Sequence, residues 1–151
     1  MSKSNESLKL KSSNNAVYKI YYHVIFAVRY RNKCITPEIL QRLKEELTRL
    51  CILWKCELVE FGGEADHVHL LVEAYPSLQL PKFVGNIKSV SSRKIRQEFK
   101  EHLNQYFWKP YFWSRSYSLF SVGGRAPIEV LLRYIQQQDA EEEKKKAVAA
   151  R

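Results

Sequence analysis

The chain is short of acid. Its 151 residues hold 16 Asp and Glu against 25 Lys and Arg, a formal net charge of +9. That surplus favours an anionic partner, nucleic acid before membrane. Cysteine is scarce as well: Cys34, Cys51 and Cys56 are odd in number and form no Cys-x-x-Cys pair. This argues against both a disulfide framework and a zinc knuckle. No apolar run is long enough to cross a bilayer, and no basic helix offers a clean apolar face to a membrane surface. The opening residues, MSKSNESLKLKSSNN, lack the apolar segment of a secretion signal, so the expected compartment is the cytoplasm. No internal repeat is visible.

What is present is enough for one folded domain. Hydrophobic residues make up 45% of the chain, and this length buries a core without covalent staples. Residues 1–15 are polar and are expected to be a disordered tail, followed by a single domain over 16–146 and a short tail at 147–151. From Val17 to Tyr30, VYKIYYHVIFAVRY is rich in β-branched and aromatic residues and predicts a long strand. Thr36-Pro37-Glu38 supplies an N-cap, a first-turn proline and an acid at the positive helix end, and the leucine spacing carries the helix to about Leu53. Lys55 to Phe61 predicts a strand ended by Gly62-Gly63, paired across a Gly-Gly-Glu-Ala turn with a strand over His67 to Ala74. A second helix is expected from Pro81 to about Leu103, and a fourth strand from Ser116 to Val122. A last helix is expected from Pro127 into the Glu-Glu-Glu-Lys-Lys-Lys run. The order β-α-β-β-α-β is that of the ferredoxin-like α+β fold, an antiparallel sheet with two helices on one face, here with an additional C-terminal helix.

The segment D-H-V-H-L-L-V-E, residues 66–73, carries the first chemical signal. Strand alternation points His67 and His69 to one face and Val68, Leu70 and Val72 to the other, toward a core. A lone histidine on a sheet face is usually just solvated. Two at this spacing, directly after Asp66, suit a divalent metal held by neutral imidazoles, with Asp66 as a partner that orients a ring. His23 and His102 have no such neighbour and read as structural. On the last helix, Ile128, Leu131, Leu132 and Ile135 make an apolar stripe, with Tyr134 and Gln138 one turn apart beside it. Taken alone, Tyr134 is as well explained by packing or exposure. Lys88, Arg93, Lys94 and Arg96 on the second helix, with Arg29, Arg31 and Lys33 after the first strand, form a local excess of positive charge able to neutralise phosphates. Tyr106, Phe107, Trp108, Tyr111, Phe112 and Trp113 read as core and lid rather than as a surface for stacking bases.

Together YYHVIFAVRYRNK, EADHVHLLVEAYP, FWSRSYSLFSVGG and IEVLLRYIQQQ resemble the single-tyrosine HUH transposases of the smallest insertion sequences, the insertion sequence 200/605 group (TnpA type), over about Tyr18 to Gln138. The resemblance implies that His67, His69 and Gln138 are metal ligands and Tyr134 the nucleophile. It implies a homodimer with active sites shared between subunits, acting on single-stranded DNA hairpins at element ends through a 5′-phosphotyrosine. Two imidazoles and an amide carry no negative charge, whereas hard Mg²⁺ prefers oxygen. Weak binding of Mg²⁺ or Mn²⁺ is therefore expected in the free protein, Mn²⁺ the more readily, strengthened by DNA phosphate. The alternatives are a domesticated nuclease that processes palindromes, a replication or conjugation nickase, and a non-catalytic hairpin-binding protein. Covalent attachment of DNA separates the last from the others.

Overall fold

A computed structural model of the chain describes residues 11–13, 16–18 and 20–121. The expected C-terminal helix, with Tyr134 and Gln138, lies outside these residues. Short strands β1 (Lys11–Ser13) and β2 (Ala16–Tyr18) pair antiparallel in a two-stranded ladder. Lys11–Ser13 thus forms a strand within the stretch expected to be a disordered tail. Ladder bonds use backbone groups, so polar side chains do not prevent a strand once a β-prone partner such as Ala16-Val17-Tyr18 is adjacent.

The main sheet contains β3 (Ile20–Ala27), β4 (Glu57–Glu64), β5 (His67–Ala74) and β6 (Ser118–Ser121), in the order β4-β5-β3-β6 with every pairing antiparallel. Between them run α1 (Pro37–Leu53), α2 (Leu80–Glu98) and the single-turn α3 (Lys100–Leu103). Val24, Phe26 and Val28 from the β3 side join Val68, Leu70 and Val72 of β5 in one core with Ile39, Leu43 and Leu47 of α1 and Phe83, Val84 and Ile87 of α2. Both long helices therefore cover one face of the sheet, as the β-α-β-β-α-β order requires. Arg42 of α1 ties them together through a two-bond pair with Glu98 of α2, at 2.8 and 3.0 Å. Among the described residues, no helix is long and apolar enough to cross a membrane.

Helix α1 starts and stops where local chemistry places it. The Thr36 hydroxyl accepts from the Ile39 N–H at 3.2 Å and Pro37 opens the first turn. At the other end the Cys56 N–H donates to the Cys51 carbonyl at 2.8 Å and the Lys55 N–H to that of Ile52 at 2.9 Å. This is a Schellman closure, with Lys55 at φ 60° in the position that usually holds glycine. Lys55→Gly is expected to raise stability by about 0.5–1 kcal/mol, because the left-handed residue carries roughly 1 kcal/mol of strain. A denaturant midpoint at or below that of the wild type would contradict it.

Other boundaries depart from expectation for long-range reasons. The first strand ends at Ala27 rather than Tyr30, because Tyr30 and Arg31 adopt φ 59° and 55° and turn the chain. The fourth strand begins at Ser118 rather than Ser116: the Lys88 ammonium takes the carbonyls of Ser114, Arg115 and Ser116 at 2.7, 3.1 and 3.2 Å, removing them from any ladder. The second helix breaks at Phe99, whose backbone (φ −120°, ψ 34°) is not helical. Phe107, Phe112 and Trp113 are core residues, as expected, but Trp108 is 90% exposed. All three cysteines are buried and free. Burial pushes their thiols up, to about 12 for Cys51 and about 11 for Cys34 and Cys56, so none is poised as a thiolate.

Candidate metal centre

The strand β5 does what its alternation promises. Val68, Leu70 and Val72 enter the core, and His67 and His69 lie on the opposite face. Cross-strand register sets Ala27 and Glu64 beside His67, and Ile25 and Gly62 beside His69. The histidines thus sit in the middle of a sheet, held on both sides, rather than on a loose edge.

His67 is 3% exposed, and its Nδ1 lies 2.8 Å from a carboxylate oxygen of Asp66. The second Asp66 oxygen pairs with Arg31 at 3.3 Å. Burial alone would raise the Asp66 pKa, but the His67 hydrogen bond and the Arg31 charge outweigh it and hold the carboxyl below its ordinary value. An ionised carboxylate only accepts, so Nδ1 must donate, and in the neutral imidazole the lone pair is then on Nε2. This is the orientation a metal-ligating histidine needs. Asp66 is itself anchored: its carbonyl accepts from the Val28 N–H and that of Ala65 from Ile35, both at 2.9 Å.

The turn between β4 and β5 is Ala65-Asp66, so β4 continues through Gly62 and Gly63 instead of ending at them. The reason is steric. A Cβ on Gly62 would stand 2.7 Å from His69 Nε2, and one on Gly63 would stand 2.5 Å from the His67 carbonyl oxygen. The strand gives up two side chains so that an imidazole can lie against its backbone. Gly62→Ala is expected to push the His69 ring aside, leave the fold nearly intact and weaken Mn²⁺ binding about 10- to 100-fold, the usual range for disturbing a ligand's support. Gly63→Ala meets backbone instead of a ring that can swing, and is expected to cost about 1–3 kcal/mol of stability, as overpacking does. Titration calorimetry and chemical melts separate the two; equal effects of both substitutions on metal affinity would refute the assignment.

The donor chemistry fits a divalent cation. Besides the imidazoles, Glu64 stands opposite His67, and Glu64, Asp66 and His67 offer ligand atoms within 4.8 Å of one another. Glu64 is exposed and was not singled out from sequence; only the Glu64↔His67 register shows that it shares the site. Its carboxylate places a charged oxygen donor beside His67, of the kind Mg²⁺ or Mn²⁺ prefers, in a group that does not include His69. Of the other histidines, His102 is structural, with Nε2 2.8 Å from the Cys34 carbonyl. His23, on the same sheet face as the pair, has a buried Nδ1 without a hydrogen-bond partner. Tyr134 and Gln138 lie outside the described residues.

The basic residues divide. Arg93 and Arg96 line a groove between α2 and the 108–111 segment, and Arg29 stacks on Tyr111 with its guanidinium carbon 4.0 Å from the ring centroid. Lys33 and Lys94 are exposed. Arg31 is drawn into the histidine site through Asp66. Lys88 is committed to the 114–116 carbonyls, and burial lowers its pKa to about 8. It reads as a clamp on the chain entering β6 rather than as a cation facing a phosphate.

Known proteins resemble this chain over most of its length. Residues 16–138 match the family described as IS200-like transposases. The chain is 29% identical over 135 residues to the ISDra2 transposase TnpA of Deinococcus radiodurans, covering 89% of this chain and 95% of that protein. It is 28% identical over 130 residues to the transposase for insertion sequence element IS200 of Salmonella typhimurium, covering 85% of each. The crystal structure of a Deinococcus radiodurans R1 protein assigned as a transposase matches with a TM-score of 0.77 at 33% identity, covering 85% of this chain and 97% of that one.

Proposed function

The chain belongs to the IS200-like transposase family, and on that premise we propose that it cuts and rejoins single-stranded DNA at hairpin-marked element ends, with a divalent metal at His67 and His69 and Tyr134 as nucleophile. The observation that carries this reading is the pair of imidazoles side by side on β5, one locked by Asp66 with its Nε2 lone pair left for a ligand.

The roles follow from the chemistry of the groups. The Tyr134 oxygen attacks a backbone phosphorus, the bond to the 3′ oxygen breaks, and a 5′-phosphotyrosine and a free 3′-hydroxyl result. A 3′-hydroxyl from a second strand then attacks the phosphotyrosine and releases the phenol. One phosphodiester replaces another, so no nucleotide cofactor is needed. A phenol of pKa about 10 is a weak nucleophile at neutral pH. The metal, when bound, supplies charge against the phosphoryl oxygens and helps align the group. His67, His69 and Glu64 would hold it from the sheet, with Gln138 as a further ligand, while Asp66 keeps the His67 ring in place. Active sites shared between the subunits of a homodimer are part of the proposal. Incubation with hairpin oligonucleotides and Mn²⁺ should give a protein–DNA adduct that survives denaturing electrophoresis. A tight complex that never yields an adduct would instead mark a non-catalytic hairpin-binding protein.

Phosphate contacts from Arg29, Arg93 and Arg96 make binding electrostatic. With about four phosphates engaged, a log–log salt slope near −3 is expected for single strands, so a fourfold rise in salt should weaken binding about 50-fold. A flat salt response measured by fluorescence anisotropy would remove the phosphate role.

A further inference from the structure

Trp108 stands out among the aromatic residues. It is 90% exposed, while its neighbours are occupied. Phe107, Phe112 and Trp113 are buried in the core, Tyr111 is covered by Arg29, and Tyr106 packs on His102 with ring centroids 5.4 Å apart. An indole left almost wholly in water buries little and contributes little to folding. It borders a groove of about 370 Å³ whose other walls include Arg93, Arg96, Lys100 and Lys109, and among the described residues no acidic side chain lines that groove. Arg96 is braced by its Nε–H donating to the Ser92 hydroxyl at 3.3 Å, and the Lys109 ammonium lies 4.9 Å from the Trp108 ring centroid. The groove sits against α2, on the helix-covered side of the fold, whereas His67 and His69 lie on the opposite face of the sheet.

Four cations around an exposed aromatic ring make a particular chemical fit. The cations suit two or more phosphates, and the indole suits the π-face of a base that is not paired or stacked elsewhere. A fully paired stem presents no such face along its length. A carboxylate-rich peptide would satisfy the cations but leave the indole idle. We propose that Trp108 is a stacking platform for an unpaired nucleobase, with Arg93, Arg96 and Lys100 holding the flanking phosphates. The platform makes this face select single-stranded or bulged positions over continuous duplex. It rests on the single-stranded DNA reading and adds to it a residue outside the metal centre that distinguishes unpaired DNA.

The test uses the full-length protein and two probes of equal length and charge, an oligothymidylate of about eight nucleotides and its abasic counterpart. The wild type should bind the oligothymidylate about 5- to 100-fold more tightly, the range expected for one stacked base. Trp108→Ala should erase that preference, Trp108→Phe should restore most of it, and Lys100→Ala should weaken both probes alike. Because Trp108 is exposed, its removal should leave the melting temperature unchanged. A preference that survives Trp108→Ala, or a wild type that binds both probes equally, overturns the platform. Failure to bind either probe would remove the DNA reading on which it rests, and the platform with it.

Discussion

His69→Ala is expected to reduce DNA cleavage by about 1,000-fold or more, because the metal's stabilisation of phosphoryl charge is worth several kcal/mol and each 1.36 kcal/mol is tenfold in rate. His67→Ala should do the same. It also empties a buried position and strips Asp66 of the donor that helps hold its pKa down, so His69→Ala, at a half-buried position, is the cleaner experiment. Hairpin binding should stay within about twofold of wild type, since the groove-lining cations on α2 lie across the sheet from the histidines. Asp66→Asn keeps an oxygen near Nδ1 but removes the charge that fixes the tautomer, and is expected to cost about 10- to 100-fold. Single-turnover cleavage with added Mn²⁺ measures all three. Cleavage by His69→Ala at the wild-type rate, still dependent on metal, would take that residue out of the ligand set.

Tyr134→Phe should abolish covalent attachment of DNA altogether, because only the attacking oxygen is removed while the ring is kept. Folding and hairpin binding should be unchanged. The same variant tests where the tyrosine works. Tyr134→Phe subunits mixed with His69→Ala subunits form a heterodimer in which one site combines an intact histidine pair with the other chain's tyrosine. If sites are shared between subunits, adducts return in the mixture and appear only on the His69→Ala chain. If each site belongs to one chain, the mixture stays inactive. Adducts on the Tyr134→Phe chain would identify a different nucleophile.

How much of this was legible in the chain follows the range of the interactions involved. Helix α1 could be bounded to within a residue because Thr36, Pro37 and Glu38 act on the backbone groups next to them. The face of β5 that carries His67 and His69 was equally plain, since alternation is a property of the strand itself. Gly62 and Gly63 were misread as a turn because glycine is permissive, and whether it turns or yields space is decided by what lies across from it. The basic residues looked alike as a run of charge. Only packing separated Lys88, held by three carbonyls, and Arg31, held by Asp66, from Arg93 and Arg96 beside the groove. The aromatic cluster divided in the same way, with Trp113 in the core and its Nε1–H on the Ser91 hydroxyl while Trp108 stayed in solvent.

By itself, then, the order of residues determined the order of the four sheet strands and the two long helices, the paired imidazoles, the surplus of positive charge and the family motifs, because each is written in neighbours along the chain. Tertiary structure alone decided that Glu64 faces His67, that Asp66 is tied to both His67 and Arg31, that β4 runs through its glycines, and that one tryptophan of three is left exposed beside four cations. Those facts depend on register and on contacts between residues far apart in sequence; a one-residue change in the β4–β5 register, for example, would move Glu64 away from the face that carries His67.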